Sequence, residues 1–123
     1  MNRTLMMYLA VGVGSGLGAG LRYWMSMTAI EFFGSGFPWA TLGVNVLGSA
    51  LIVWLSRVRW QAFWASGFCG GFTTFSLFSL EVWVLWQGEL PWLAVVYLGV
   101  SVMGWIMAAG WVQYLMVKKN GCR

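Results

Sequence analysis

Four stretches of this 123-residue chain carry no formal charge: residues 4–21, 32–56, 60–80 and 90–117, of 18, 25, 21 and 28 residues. Each meets the roughly 18 apolar residues that mark a membrane-spanning helix. Within a bilayer a span must satisfy its own backbone polar groups, which for separate segments of this length means helices. The expectation is an all-α membrane protein of four transmembrane helices, a single domain over residues 1–123, embedded in the lipid bilayer. Composition agrees. Hydrophobic residues make up 60% of the chain, charged residues 8%, and the mean hydropathy is +0.76, where a soluble domain carries about 25% charge. Of the ten tryptophans, Trp24, Trp39, Trp60, Trp86 and Trp92 fall near predicted span ends, as interfacial belts require.

The charges that remain set an orientation. An even number of spans puts both termini on one side. Arg3, Arg57, Arg59, Lys118, Lys119 and Arg123 lie on that side and Arg22 alone on the other, which predicts cytoplasmic termini. A net charge of +4 distributed in this way gives no reason to expect nucleic acid as a partner. The first segment has Arg3, an apolar region and small residues at Gly18, Ala19 and Gly20. Its length and the three spans that follow favour a retained helix over a cleaved signal.

Chemistry is sparse. Histidine is absent, which removes the usual general base and the commonest metal ligand. Cys69 and Cys122 form no metal or redox spacing. No enzyme is expected. Residues 14–19 match the loose GxGxxG/A dinucleotide pattern, but no strand or βαβ unit accompanies them.

Segment one is predicted from about Leu5 to Met27. Gly12, Gly16 and Gly20 form one stripe and Gly14 and Gly18 a second, the small-xxx-small spacing that lets helices approach closely. Arg22 near its end either snorkels to the interface or holds a vestibule. Glu31 to Pro38 is read as a loop, with Pro38 opening segment two at Trp39–Leu55. Thr41, Asn45 and Ser49 share one face of that segment at spacing four. Asn45 is costly in mid-membrane unless hydrogen-bonded, so it serves either an interhelical bond or an anion. In segment four, from about Trp92 to Val117, Tyr97 and Ser101 share a face, followed by Gly104. Lys118, Lys119 and Arg123 are read as a polar tail.

Segment three does not read as a plain span. Its residues 66–81, SGFCGGFTTFSLFSLE, place two glycines beside two β-branched threonines, all weak helix formers. A break near Gly70–Thr74 would free backbone groups at membrane depth. Such groups persist only where protein, water or a bound ion meets them. Beyond the break, spacing predicts a ridge of Phe72, Phe75 and Phe78 beside one of Thr73, Ser76 and Ser79. Together they suggest a narrow pore, with Glu81 at its mouth. Arg22, Glu81 and Thr41 are assigned to vestibule or structural positions.

Residues 67–79, GFCGGFTTFSLFS, closely resemble the signature of the Fluc (CrcB) fluoride channel family, GFCGGLTTFSTFS. GAGLR at 18–22, TLGVNVLG at 41–48, and Tyr97 with Ser101 extend the resemblance along nearly the whole chain. It implies a passive fluoride exporter of the plasma (inner) membrane, an antiparallel dual-topology dimer with two pores. It further implies a structural Na⁺ at the dimer interface, held by the backbone carbonyls of Gly70 and Thr73 from each subunit. Phe75 and Phe78 would face fluoride edge-on, Asn45 would donate its amide, and Ser76, Thr74, Tyr97 and Ser101 would offer hydroxyls. Two positions depart from the pattern: Phe72 stands for Leu, and Leu77 for Thr on a polar track. The six-to-one charge bias also sits poorly with a chain that inserts both ways. It fits one orientation paired with an oppositely oriented paralogue, unless the charge rule is overridden and the partner is a second copy.

Three other functions meet specific objections. A small multidrug transporter shares the four-helix plan and the length, but segment one lacks the membrane carboxylate that proton coupling needs there. A membrane scaffold explains the glycine stripes and not the Phe/Ser/Thr ridges. An intramembrane hydrolase would find no His or buried Lys beside Ser76 or Cys69.

Overall fold

The computed structural model describes residues 2–121; Cys122 and Arg123 lie outside the described residues. Helix α1 spans Arg3–Phe33. Asn2 caps it, accepting from the Thr4 N–H at 3.2 Å. It stops at Gly34, whose φ of 75° suits glycine. The sequence reading ended this helix near Met27 and put Glu31 in a loop. The structure keeps both in the helix, because nothing between them disfavours helical backbone. At 31 residues the helix is roughly 46 Å long, so one end stands clear of the hydrocarbon.

Helix α2 spans Trp39–Leu55 with Pro38 at its N-cap, matching the predicted bounds. Helix α3 comprises a π-type segment, Ala62–Cys69, continued by one turn, Gly70–Phe72. Helix α4 spans Phe75–Gln87 and α5 spans Trp92–Gly121. Lys118 and Lys119 sit in the last turn of α5 and not in a tail; cations there complement the helix dipole. Three spans, Arg3–Phe33, Ala62–Gln87 and Trp92–Gly121, are long and apolar enough to cross a membrane, and Trp39–Leu55 is a shorter apolar helix. At 17 residues α2 is at the lower limit for a span. The fold is that of an all-α, multi-pass membrane protein.

The outer face is apolar. Leu9, Val13, Trp83, Val95 and Ile106 are exposed, whereas Thr41, Asn45 and Ser101 are buried beside Val44, Phe78 and Tyr97. An apolar shell with its polar side chains turned inward is what lipid demands.

α1 packs chiefly on α3, and α2 chiefly on α5. Only one of the two glycine stripes makes the first contact. A Cβ at Gly14 would meet the Phe63 carbonyl oxygen at 2.5 Å, and one at Gly18 would collide with the Phe68 carbonyl. Gly67 and Gly71 on α3 answer them, against the backbones of Val11 and Ser15. Gly12, Gly16 and Gly20 have open space around them within the chain.

The break lies at the C-terminal end of the predicted stretch Gly70–Thr74. Gly70 and Gly71 are helical, and the extended residues are Thr73 (ψ 157°) and Thr74 (φ −150°, ψ 120°). Gly71 serves close packing, and the β-branched pair takes the extended backbone it prefers. Phe72 therefore precedes the break, Thr73 lies in it, and neither continues the ridges of α4. Phe72 instead stacks on Phe68, centroids 5.9 Å apart and planes 10° from parallel.

Candidate ion pathway at the helix break

Asn45 holds the break open. Its Nδ2 donates to the Thr74 carbonyl at 2.9 Å, and its Oδ1 accepts from the Thr74 N–H at 2.8 Å. Thr74 in turn caps α4, its Oγ1 accepting from the Leu77 N–H at 3.2 Å. These bonds redirect two donors. In a continuous helix the Thr74 N–H would close on the Gly70 carbonyl, and the Leu77 N–H on the Thr73 carbonyl. The Gly71 carbonyl accepts from Arg22 Nε at 3.3 Å. Arg22 thus reaches the last helical turn before the break.

The break leaves the carbonyls of Gly70, Gly71, Phe72 and Thr73 without their i+4 helical donors; Gly70 and Thr73, the pair the resemblance implies for Na⁺, are two of these four. Gly70 is exposed on the single chain. Among the described residues no cluster of His, Cys, Asp or Glu can hold a metal. A resident cation would rest on backbone oxygens, which suit a hard ion such as Na⁺. The residues fit that group.

A second network lies along α4. Glu81 accepts from Thr41 Oγ1 at one carboxylate oxygen and from the Tyr97 hydroxyl at the other, each at 2.7 Å. The carboxylate joins α2, α4 and α5. Glu81, Thr41 and Leu77 line a cavity of about 350 Å³ near Phe37 and Pro38. Asn45, Gly48, Thr73, Thr74, Phe75 and Trp105 line another of about 250 Å³ at the break. Phe78 lies between the two groups. It is 4% exposed, with its ring 5.3 Å from Tyr97 and 4.8 Å from Trp105.

Phe75 behaves differently. It is 71% exposed, although its ring is 5.8 Å from Phe78. Ser76 is exposed too, 3.4 Å from Thr74 Oγ1. The hydroxyl ridge is interrupted: Thr73 Oγ1 donates to the Cys69 carbonyl, and Ser79 Oγ to the carbonyls of Phe75 and Ser76. Short hydroxyl side chains readily bond their own helix in this way. Ser101 is fully buried.

The sequence reading missed three residues. Ser15 Oγ donates to the Gly67 carbonyl at 3.2 Å, linking α1 to α3. Phe37 meets the Tyr97 ring edge-on at 5.4 Å and 81°, and its loop position gave no signal. Trp105 continues the Tyr97, Ser101 spacing by one more step of four; extending that stripe would have found it.

Residues 9–112 match the family described as CrcB-like protein, Camphor Resistance (CrcB). This chain belongs to the CrcB family. Within the CrcB family, the "Fluoride-specific ion channel FluC" of Paramagnetospirillum magneticum is 43% identical over 111 residues, covering 81% of this chain and 84% of its own. The "Fluoride-specific ion channel FluC 1" of Bradyrhizobium diazoefficiens is 36% identical over 128 aligned positions, covering 95% and 88%. CrcB membership therefore spans the helix break and the residues gathered around it.

Proposed function

We propose that this chain forms a fluoride-selective channel that lets F⁻ leave the cytoplasm passively across the plasma membrane. The observation that carries the reading is the Asn45–Thr74 clamp, in a chain whose relatives are named fluoride-specific channels. The clamp sustains a break at membrane depth and gathers neutral donors and aromatic rims around it. Fluoride is small and strongly hydrated. Weak sites that replace its water in steps let it pass, where one deep cationic site would trap it. The ring edges of Phe78 and Phe75 carry positive potential, and Asn45, Ser76, Thr74, Tyr97 and Ser101 supply N–H and O–H donors. Leu77 in place of a hydroxyl residue lines the cavity of Glu81 and slows the flux.

The channel is an antiparallel, dual-topology dimer with two pores. A central Na⁺ is coordinated by the Gly70 and Thr73 carbonyls of each copy. The exposed Phe75 and Gly70 support a partner at this face. The partner is a second copy of the chain, or an oppositely oriented paralogue if the six-to-one charge bias fixes one orientation. Tagging both termini and mapping their accessibility decides between these. A single orientation with no partner chain recovered rules out the homodimer.

Fluoride efflux from proteoliposomes, with chloride as the comparison ion, tests the function. Fluoride flux with no comparable chloride flux is expected. Equal flux of both ions, or none of fluoride, defeats the reading.

A further inference from the structure

Tyr97, Ser101 and Trp105 recur at spacing four on α5, so they stand one above another on a single face. That face meets Phe78: its ring approaches both Tyr97 and Trp105, the indole at a steep 72°. The Tyr97 hydroxyl is committed to Glu81. The next two groups are not committed. Ser101 Oγ and Trp105 Nε1 are buried and have no hydrogen-bond partner among the described residues. Buried polar atoms are rarely left so, and an indole nitrogen can only donate. Trp105 also lines the cavity at the break, together with Asn45 and Thr74. An occupant that satisfies the indole must be a hydrogen-bond acceptor.

We propose that Trp105 Nε1–H is a fluoride-binding donor at the break, the step beyond Phe78 and Ser101 along the pathway. This rests on the fluoride reading above and adds to it a binding residue on α5. A neutral N–H donates to an anion without the charge that would hold it, which suits a site meant to release its ion.

The test is fluoride efflux across a range of fluoride concentrations for the wild type, Trp105→Phe and Trp111→Phe. Trp111 is an exposed residue of the same helix. Losing one donor to an anion should raise the half-saturating fluoride concentration roughly tenfold in Trp105→Phe, and Trp111→Phe should match the wild type. An unchanged half-saturation in Trp105→Phe overturns the assignment and leaves the channel reading standing. Absence of fluoride efflux in the wild type defeats the channel reading itself. Should Trp105→Phe fail to assemble, the wild type labelled with indole ¹⁵N serves. Fluoride should shift one indole N–H resonance that chloride leaves in place, and no such shift overturns the assignment.

Discussion

Asn45 and Thr74 exchange a reciprocal pair of hydrogen bonds, amide nitrogen to carbonyl and backbone N–H to amide oxygen, at 2.9 and 2.8 Å. One side chain on α2 thus replaces the two helical bonds that an extended Thr74 gives up. Asn45 is 5% exposed. Asn45→Ala leaves both Thr74 groups unpaired and should destabilise the protein by about 2–4 kcal/mol. Asn45→Asp keeps the acceptor and sets a carboxylate oxygen against the Thr74 carbonyl, so fluoride flux should vanish. Thermal unfolding in detergent and liposome efflux measure the two effects. Wild-type flux in Asn45→Asp would remove Asn45 from the pathway.

The two glycine stripes of α1 should respond oppositely to one methyl group. At Gly18 the added Cβ strikes the Phe68 carbonyl, a backbone atom that cannot swing aside, while at Gly12 it meets nothing within 4 Å. Gly18→Ala should sharply lower the yield of folded protein. Gly12→Ala should leave it unchanged or gain up to about 1 kcal/mol from helix propensity. Size-exclusion profiles and melting curves of the two variants give the comparison, and equal behaviour would contradict the packing of α1 on α3.

Phe78 is the ring through which both aromatic neighbours communicate, 5.3 Å from Tyr97 and 4.8 Å from Trp105. Phe78→Ile preserves much of the apolar volume and removes the positive ring edge. Flux should fall at least about tenfold, the scale of one lost anion contact, with assembly retained. A variant that assembles and conducts like the wild type would exclude the ring edge from ion contact.

The helices were legible because charge-free length and glycine spacing act locally along one segment. The π-type turns of α3 were not, and Gly67 within them packs closely on Val11 and Gly14, a relation between segments. The same limit explains why only the region of the break was legible. Composition marked Gly70–Thr74 as weak, but the extended residues within it are Thr73 and Thr74, and Thr74 is held by Asn45 from 29 residues away. Glu81 read as a residue at the pore mouth. Its part in joining three helices emerged only once Thr41 and Tyr97 were seen to converge on it. Trp105 was legible in principle, one step along a stripe already recognised.

Glu81 supplies the last prediction. Its two oxygens accept one hydroxyl each, from Thr41 and Tyr97, and bonds from a hydroxyl to a carboxylate are stronger than neutral ones. Tyr97→Phe keeps the ring against Phe37 and Phe78 and removes only the donor, so one carboxylate oxygen loses its partner inside the bundle. A cost of about 1.5–3 kcal/mol follows. Thr41→Val should cost a similar amount at the other oxygen. The double variant should be less damaging than the sum if Glu81 then turns to the adjoining cavity and takes up water there, since residues sharing one partner are not independent. Melting temperatures of the four proteins complete the cycle. Strict additivity would show that the two hydroxyls act separately and that Glu81 does not turn to the cavity.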